Sequence, residues 1–330
     1  MTVASGYDCL LLDLDGTIWE GGRPIPGAIK GVQSTGLPLF YITNNASKAP
    51  SVVAEQLTNI GLPTAPDHVL TSAQAAIELA SRKIPSGAKL LILGTDSFRE
   101  LAREAGFVVV DSADDNPVAV LQGHNPSTGW AELSEASMAI HKGATYFASN
   151  LDTTLPQERG LAVGNGSMVA AVVSATGIVP EAAGKPKPMM FEVAASLLSA
   201  SRPLAIGDRL DTDIAGGVAA GMDAFQVLTG VSGFYDVVNA PASQRATFLA
   251  ESMLDLAEDS ATLRPGAQGG FSAVCTDGIV ELDGGVGSST AIQALRTVVG
   301  AVWGLSDKGN QVREVRGISE HARRVLEVWW

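Results

Sequence analysis

The clearest chemical signal in the sequence is a pair of aspartates near its start. Residues 7–12 read YDCLLL, an apolar stretch typical of a buried strand, and they are followed by DLDGT at residues 13–17. If the strand ends at Asp13, a bent loop can turn the Asp13 and Asp15 carboxylates into one crevice, where open α/β sheets bind ligands. One carboxylate can attack as a nucleophile while the other transfers a proton. The alternative is a solvated loop with an Asx turn into Gly16.

A second apolar stretch also ends in small polar residues. Residues 37–42 read LPLFYI and precede Thr43, Asn44 and Asn45. A hydroxyl group and exposed backbone N–H groups at the end of a strand can hold phosphate oxygens. The same residues could instead form a cap or turn before a helix that begins at Ser51.

The third signal is Lys185, which lies in the sequence GKPKP. The proline that follows it disfavours helix and favours an extended backbone, and Pro188 suits the first turn of a helix over residues 189–198. A lysine held on a stiff loop in front of a helix can place its ammonium group against a phosphoryl group. Taken alone, the pattern favours an ordinary surface lysine.

The fourth signal is an acidic loop after residues 203–206, which read PLAI and run into GDRLDTDI. Magnesium is a hard ion that takes oxygen ligands and keeps waters, so one or two carboxylates with a phosphate suit it. Asp208, at the expected strand end, is the best metal ligand, and Asp213 could orient a metal-bound water. The alternative for Asp211 and Asp213 is acidic charge favoured in the first turn of a helix.

The four signals together predict phosphoryl transfer. Each expected strand end or loop carries a group that this reaction requires: a nucleophile with an acid, a hydroxyl, a cation and a metal ligand. None of the four decides alone, but their assembly in this order by chance is improbable.

The set resembles the haloacid dehalogenase superfamily of phosphatases, and within it the NagD-like or 4-nitrophenylphosphatase branch with a C2-type cap. The resemblance covers about residues 5–256 and is carried by the strings YITNNASK, ATYFASNLDTTLP, GKPKPMMFEVA and IGDRLDTDIAGGVAAGM. It implies an α/β fold with a Rossmann-like core, a parallel sheet and an inserted α/β cap domain. With its tail, the whole chain most resembles the actinobacterial glycerol-3-phosphate phosphatases.

The resemblance also implies a role for each matching residue. Asp13 would be the nucleophile that becomes an aspartyl phosphate, and Asp15 would protonate the leaving alcohol and then deprotonate the attacking water. Thr43 and Lys185 would bind and neutralise the transferring phosphoryl group.

Metal and substrate contacts follow from the same resemblance. The Asp13 carboxylate, the Asp15 main-chain carbonyl and Asp208 would ligate Mg²⁺, with Asp213 in the shell around them. Further substrate or phosphate contacts are expected from Gly16, Asn44, Asn45, Asn150 and Asp152.

The expected substrate is a small phosphorylated metabolite, because a large cap makes a closed site. Glycerol 3-phosphate is the best candidate. The alternatives within the branch are 2-phosphoglycolate, pyridoxal phosphate, a nucleotide or a sugar phosphate. Two other classes stay open: a phosphomutase, which needs the same two aspartates, and a non-catalytic sensor of a phosphorylated metabolite.

The elements that must position these residues alternate along the chain, as in an α/β fold. Near-continuous apolar strands suit a parallel sheet covered on both faces. Residues 1–78 and 180–258 are expected to form the core, and residues 79–179 the inserted cap. Residues 259–270, rich in Gly, Pro and polar residues, read as a linker.

Residues 271–330 are expected to form a small α+β domain. A hairpin around Asp277 and Gly278, a type I′ turn signal, precedes helices over 288–303 and 319–329, with a short strand at 311–315 between them. This domain would pack on the core or form a dimer contact, because Trp303, Trp329 and Trp330 suit a buried surface.

Composition excludes several classes. The chain has 330 residues, is 46% hydrophobic and 17% charged, and has a net charge of -13. That balance argues against global disorder and against a general nucleic-acid binder, which presents a basic surface. Two distant cysteines exclude a disulfide framework. With no apolar stretch long enough for a membrane helix and no signal peptide, we expect a cytoplasmic protein with no nucleic-acid or membrane partner, and a homodimer is the candidate assembly.

Overall fold

The computed structural model of the chain describes residues 1–157, 159–306 and 311–329. Within those residues the strands are β1 (Cys9–Leu12), β2 (Trp19–Glu20), β3 (Arg23–Pro24), β4 (Leu39–Thr43), β5 (Val69–Thr71), β6 (Lys89–Leu93), β7 (Val108–Val110), β8 (Ala119–Gln122), β9 (Thr145–Ala148), β10 (Thr154–Gln157), β11 (Gly160–Val163), β12 (Glu181–Ala182), β13 (Pro203–Gly207), β14 (Asp223–Val227), β15 (Phe248–Ala250), β16 (Phe271–Thr276), β17 (Ile279–Gly284) and β18 (Glu314–Gly317).

The α-helices of the same residues are α1 (Ala28–Thr35), α2 (Pro50–Asn59), α3 (Ser72–Ser81), α4 (Asp96–Glu104), α5 (Trp130–His141), α6 (Asn165–Thr176), α7 (Met189–Leu197), α8 (Ala215–Ala219), α9 (Phe234–Val238), α10 (Ser260–Leu263), α11 (Ala291–Ser306) and α12 (Glu320–Leu326). None of these helices is both long enough and apolar enough to cross a membrane.

The chain divides into two compact units. The first unit comprises Met1–Leu39 and Ala195–Trp330, and the second comprises Phe40–Ala194. The chain passes from one unit to the other within β4 and again within α7. The expected cap boundaries, residues 79 and 179, both fall inside the second unit, and they stay a prediction.

The first unit is built on parallel strands in the order β15-β14-β13-β1. Strands β1 and β13 pair with Leu10 opposite Leu204, and Phe225 of β14 lies opposite Phe248 of β15. All four residues of β1 are buried, as expected for a parallel sheet covered on both faces. The sheet therefore fixes the carboxyl ends of β1 and β13. The predicted acidic loops, which begin with Asp13 and Asp208, follow these ends.

The tail packs on this sheet within the first unit, which confirms one of the two expected alternatives. Strands β16 and β17 form an antiparallel hairpin, β18 joins in parallel, and the buried side chains of α11 and β17 share one core with Val237 and Leu249. The Trp303 Nε1–H donates to the Val237 carbonyl at 3.1 Å, and the Trp329 ring stacks on Phe234 at 5.2 Å. Trp330 lies outside the described residues.

The second unit contains a five-stranded sheet in the order β12-β9-β8-β6-β7, and all its pairs are parallel. Helices α5 and α6 cover one face, where Ile140 and Val172 pack with Leu91, Val120 and Tyr146. Strands β4 and β5 also pair in parallel, and β10 with β11 forms a hairpin.

Most predicted elements are present, with two kinds of difference. The three-residue strands β5, β7 and β15 were not predicted, because they are too short to show a period, and helix α1 was not predicted, because it contains a glycine. The helix whose first turn was the alternative place for Asp211 and Asp213 is a π-helical turn, Leu210–Ile214, followed by α8. The type I′ turn is confirmed, since both Asp277 and Gly278 have positive φ angles, 50° and 77°.

Candidate active site

The first residue of the candidate site is Asp13, which lies in the first unit. Its N–H donates to the Ile206 carbonyl at 2.9 Å, so β13 fixes the point where the chain leaves β1. The loop that follows is tightened by two N–H groups, of Ile18 and Trp19, that donate to the Leu14 carbonyl at 2.9 and 3.0 Å. This tight loop holds the Asp13 side chain in a buried position at the strand end.

Three carboxylates of the first unit form one buried group. Asp13, Asp208 and Asp213 each offer an oxygen, and these atoms all lie within 4.8 Å of one another. Asp208 is fully buried, at 0% exposure. Buried carboxylates this close repel one another unless a cation or protons offset the charge. Hard oxygen ligands in one pocket fit Mg²⁺, so the residues present suit the predicted metal.

Glycines let the backbone approach Asp208 closely. A Cβ at Gly16 would lie 2.5 Å from Asp208 Oδ2, and a Cβ at Gly230 would lie 2.1 Å from the same atom. Gly16 also has a φ of +89°, which favours glycine. The Val231 N–H donates to Asp208 Oδ2 at 2.7 Å. The loop after β14 therefore shapes the acidic group as much as the loop after β1 does.

Asp15 is held by an aromatic residue that the sequence analysis missed. The Trp19 Nε1–H donates to Asp15 Oδ1 at 2.9 Å, and the Gly16 N–H donates to the Trp19 carbonyl at 2.8 Å. Trp19 is buried, whereas Asp15 is exposed. The spacing of four residues between them was the only signal in the sequence. Because the Asp15 carboxylate is exposed, it can exchange a proton.

Two hydroxyl groups complete the first unit's site, and neither was among the predicted site residues. Thr17 is fully buried, and its Oγ1 lies 3.5 Å from Asp13 Oδ2 and 3.4 Å from Asp208 Oδ1. The Thr229 Oγ1 donates to the Gly16 carbonyl at 2.6 Å. Thr17 stands in the DLDGT string, so its position was visible in the sequence, whereas the contact of Thr229 depends on the fold.

The second unit brings together the other predicted residues. Thr43 is buried at the end of β4, where its Oγ1 accepts from the Asn45 N–H at 3.1 Å. The Asn45 Oδ1 accepts from the N–H and Oγ of Ser47 at 2.8 and 2.7 Å, which forms an Asx turn. The turn predicted as the alternative is thus present, and it holds the Thr43 hydroxyl at the strand end.

Lys185 is not the surface lysine that the isolated pattern favoured. It is only 4% exposed, and its Nζ donates to the Ile42 carbonyl at 3.1 Å. That carbonyl belongs to β4, so the ammonium group lies beside the strand that ends at Thr43. A buried ammonium group is costly unless it has charged or polar partners, which a phosphoryl group would provide.

Asn44, Asn150 and Asp152 also meet in the second unit. The Asn44 Nδ2 lies 3.1 Å from Asp152 Oδ2, and the Asn150 Nδ2 donates to the Asn44 carbonyl at 2.7 Å. The Ser72 Oγ, which the sequence analysis missed, donates to the same carbonyl at 2.6 Å. The side chains expected to contact substrate therefore contact one another.

Comparison with known proteins agrees with this chemistry. Residues 10–108 match the haloacid dehalogenase-like hydrolase family, and residues 182–256 match the HAD-hydrolase-like family. The D-glycerol 3-phosphate phosphatase of Mycobacterium tuberculosis is 38% identical over 99% of this chain and 95% of its own length.

Solved structures show the same likeness. The crystal structure of a glycerol phosphate phosphatase from Mycobacterium tuberculosis in complex with magnesium has a TM-score of 0.93 and 38% identity, covering 100% of this chain and 98% of that one. The 4-nitrophenylphosphatase of Thermotoga maritima has a TM-score of 0.71 and 26% identity, covering 79% of this chain and 100% of that one.

Proposed function

The chain belongs to the haloacid dehalogenase-like hydrolases and is a magnesium-dependent phosphatase, and from that premise we propose that it hydrolyses glycerol 3-phosphate. The substrate class is a small phosphate monoester. The finer assignment is supported by a relative named for glycerol 3-phosphate that matches 99% of this chain, the tail included.

The proposed reaction has two steps at Asp13. In the first, an Asp13 oxygen attacks phosphorus, the bond from phosphorus to the alcohol oxygen breaks, and Asp15 gives its proton to the leaving alcohol. In the second, Asp15 takes a proton from a water that attacks the aspartyl phosphate, which releases inorganic phosphate and restores the Asp13 carboxylate. General acid–base catalysis of this kind contributes about 10²–10⁴-fold in rate.

The negative charge of the phosphoryl group is offset in two ways, by protein side chains and by the metal ion. We assign Thr43 and Lys185 to its oxygens, and we assign the metal to the Asp13 and Asp208 carboxylates and the Asp15 main-chain carbonyl, with Asp213 in support. When bound, Mg²⁺ supplies positive charge against the oxygens of the transferring group.

The observation that carries the proposal is the buried group of Asp13, Asp208 and Asp213 behind the DLDGT loop. Carboxylate oxygens that lie this close together form the hard oxygen ligand set that Mg²⁺ prefers. This arrangement supports a metal held beside Asp13 for chemistry at that residue.

The test is phosphate release from a panel of esters, with and without Mg²⁺, for the wild type and Asp13→Asn. The panel contains glycerol 3-phosphate, 2-phosphoglycolate, pyridoxal phosphate, a nucleotide and a sugar phosphate. We expect magnesium-dependent release that is fastest from glycerol 3-phosphate and falls by at least about 10³-fold in the variant, because the amide cannot act as the nucleophile.

The other outcomes each point elsewhere. Faster release from pyridoxal phosphate than from glycerol 3-phosphate would reject the substrate. Isomerised product without free phosphate would indicate a phosphomutase, and binding without any turnover would indicate a sensor. Full activity in Asp13→Asn would remove Asp13 from the nucleophile role.

We also propose that the cap, residues 79–179, selects the ester by closing over its alcohol group. Exchanging the cap for that of a relative should change the preferred ester, while hydrolysis through Asp13 continues. A cap exchange that left the order of the panel unchanged in a folded protein would contradict this assignment.

We also propose that the chain forms a homodimer in which strand β16 pairs with a second copy of the chain. This strand is at the edge of the sheet β16-β17-β18, and its six residues, FSAVCT, include no charge and no proline, the devices that block edge pairing. Val274 at its centre is 64% exposed. In a chain of net charge -13, an uncharged edge can pair with its own copy without repulsion.

Light scattering coupled to size exclusion tests this partner. We expect the wild type to be a dimer and Val274→Lys to be a monomer with unchanged phosphate release. Val328→Lys is the matched control, since Val328 is also 64% exposed and lies outside β16. A monomeric wild type, or a dimeric Val274→Lys variant, would contradict the proposed pairing through β16.

A further inference from the structure

The side chain of Asn44 is bound at both ends by protein partners. Its Nδ2 donates to the two Asp152 carboxylate oxygens at 3.2 and 3.1 Å and to the Lys185 carbonyl at 3.1 Å. Its Oδ1 accepts from the Lys185 N–H at 2.9 Å. One amide therefore joins three segments of the second unit: the residue after β4, the loop after β9 and the loop before α7.

The backbone around Asn44 is held as firmly as its side chain. Its carbonyl accepts from the Ser72 Oγ at 2.6 Å and from the Asn150 Nδ2 at 2.7 Å. A Cβ at Gly184 would lie 2.7 Å from Asn44 Oδ1, so glycine at that position allows Lys185 to approach the amide. The contact is built from several directions and does not depend on one bond.

The loop that carries Asp152 is fixed in the same way. The Asp152 N–H donates to the Asn150 Oδ1 at 3.2 Å, and the Asp152 carbonyl accepts from the Gly166 N–H at the start of α6 at 2.8 Å. A Cβ at Gly164 would lie 2.2 Å from the Asp152 carbonyl oxygen. The position of the carboxylate is therefore set by α6 and presented to the Asn44 amide.

These contacts fix the position of Lys185. Its Nζ donates to the Ile42 carbonyl, its N–H and C=O are both held by Asn44, and the residue is almost fully buried. A lysine side chain has several rotatable bonds, so the direction of its ammonium group depends on a fixed backbone.

We infer that Asn44 and Asp152 are positioning residues that act through Lys185, and that neither contacts the alcohol of the substrate. The inference rests on the proposed function, in which Lys185 binds the phosphoryl group. It replaces the expectation that the Asn44 and Asp152 side chains bind substrate. Because Lys185 acts on the phosphoryl group that all esters share, losing the pair lowers turnover of every ester alike.

The central test is an exchange of the two side chains. Asn44→Asp places two carboxylates face to face, whereas Asn44→Asp with Asp152→Asn restores one amide against one carboxylate. Neither variant keeps the donor to the Lys185 carbonyl, so the recovery is expected to be partial. We expect Asn44→Asp to lower kcat by about 10²-fold, the loss that a misplacement near 1 Å can cause. We expect the double variant to regain at least about tenfold, a coupling that only neighbouring residues show.

The choice of substrates separates positioning from substrate contact. Each variant is assayed on glycerol 3-phosphate and on 4-nitrophenyl phosphate, which share the phosphoryl group and differ in the alcohol. Equal fold-losses in kcat on both esters support the inference. A loss confined to one ester, or a change in KM alone, would show that the pair contacts the alcohol and would overturn it.

Binding of inorganic phosphate gives a readout that does not need turnover. Calorimetry in the presence of Mg²⁺ should show weaker phosphate binding in Asn44→Asp and recovery in the double variant. If the wild type releases no phosphate from any ester but binds phosphate with this pattern, the proposed function fails while the positioning role stands. Equal phosphate affinity in all three proteins would overturn the role.

Two further variants guard against loss of folding. Asp152→Ala removes only the acceptor and should lower kcat about tenfold on both esters, an effect typical of residues that orient a ligand from outside. Asn125→Asp is the matched control, because the Asn125 Nδ2 also donates to a backbone carbonyl, that of Gly94, at 3.0 Å. It should keep full kcat. Full kcat in Asp152→Ala would overturn the inference.

Discussion

At the scale of single residues, Asp208 depends on neighbours that have no side chain. Gly16 and Gly230 both face it at distances where a Cβ could not fit. Sequence reasoning placed Asp208 as a metal ligand because it follows an apolar strand, but it could not see that the loop after β14 closes around it. That closure explains how a fully buried carboxylate keeps its direction.

Adding one methyl group at Gly230 should therefore weaken magnesium binding. Gly230→Ala would place a Cβ 2.1 Å from Asp208 Oδ2, so the carboxylate must move. We expect the Mg²⁺ concentration for half-maximal phosphate release to rise about 10- to 100-fold, the range found when groups that orient metal ligands are lost.

The matched control for this change is Gly233→Ala in the same loop. A Cβ at Gly233 would lie 3.8 Å from its nearest neighbour, Asp236 Oδ2, which is an ordinary contact. Its magnesium dependence should equal that of the wild type. Equal behaviour of the two variants would mean that the approach of Gly230 to Asp208 does not matter.

Asp15 and Asn44 show where residue-scale prediction from sequence ends. The types and spacing of DLDGT and TNN identify chemistry, because strand ends in an α/β sheet are where such groups act. The direction of each side chain depends on loop geometry, so neither the Trp19 indole on Asp15 nor the Asp152 carboxylate on Asn44 could be foreseen.

At the scale of elements, the long apolar strands were predictable and the short ones were not. Strands β1 and β13 lie where the apolar stretches 7–12 and 203–206 predict them, since a run of buried residues marks a strand in a parallel sheet. Strand β15 has only three residues, too few for a pattern. Helix α1 contains a buried glycine, which lowers helix propensity and hides the element.

That glycine allows a close contact that should be sensitive to substitution. A Cβ at Gly31 in α1 would lie 2.3 Å from the Met253 carbonyl oxygen, a backbone atom that cannot rotate away. We expect Gly31→Ala to lower the free energy of unfolding by about 1–3 kcal/mol, as overpacking does. Chemical denaturation followed by circular dichroism measures the change.

Gly304 in α11 offers the opposite case in the same unit. Among the residues that the structure describes, a Cβ there would meet nothing within 4 Å, and Gly304 is exposed. Gly304→Ala should raise the free energy of unfolding by roughly 0.5–1 kcal/mol, because alanine favours helix over glycine. If Gly31→Ala and Gly304→Ala changed the free energy of unfolding in the same direction, the close packing at Gly31 would not be the cause of the change.

At the scale of the whole molecule, the tail is part of the first unit's core. Arg296 of α11 is buried, and its guanidinium donates to the Leu249 carbonyl in β15 through Nε at 2.9 Å and through a second nitrogen at 2.5 Å. Trp303 and Trp329 contact α9 in the same unit. The tail therefore covers apolar surface that the sheet alone would expose.

Deleting residues 265–330 should consequently do more than change an accessory domain. The deletion exposes Val237 and Leu249, which are fully buried in the full chain. We expect a truncated protein that aggregates or unfolds at a lower temperature, because newly exposed apolar patches drive association. Solubility on expression and a thermal melt check this. A soluble truncation with an unchanged melting temperature would show that the tail is dispensable for folding.

The division of the first unit into residues 1–39 and 195–330 also governs when the protein becomes active during synthesis. Strand β1 leaves the ribosome about 195 residues before Asp208 does. At roughly 5–20 residues per second, translation runs for roughly 10–40 s before β1 has its neighbour β13. Until then the nascent chain carries Asp13, the proposed nucleophile, without Asp208 and Asp213, so the carboxylate group assembles only after β13 has been made.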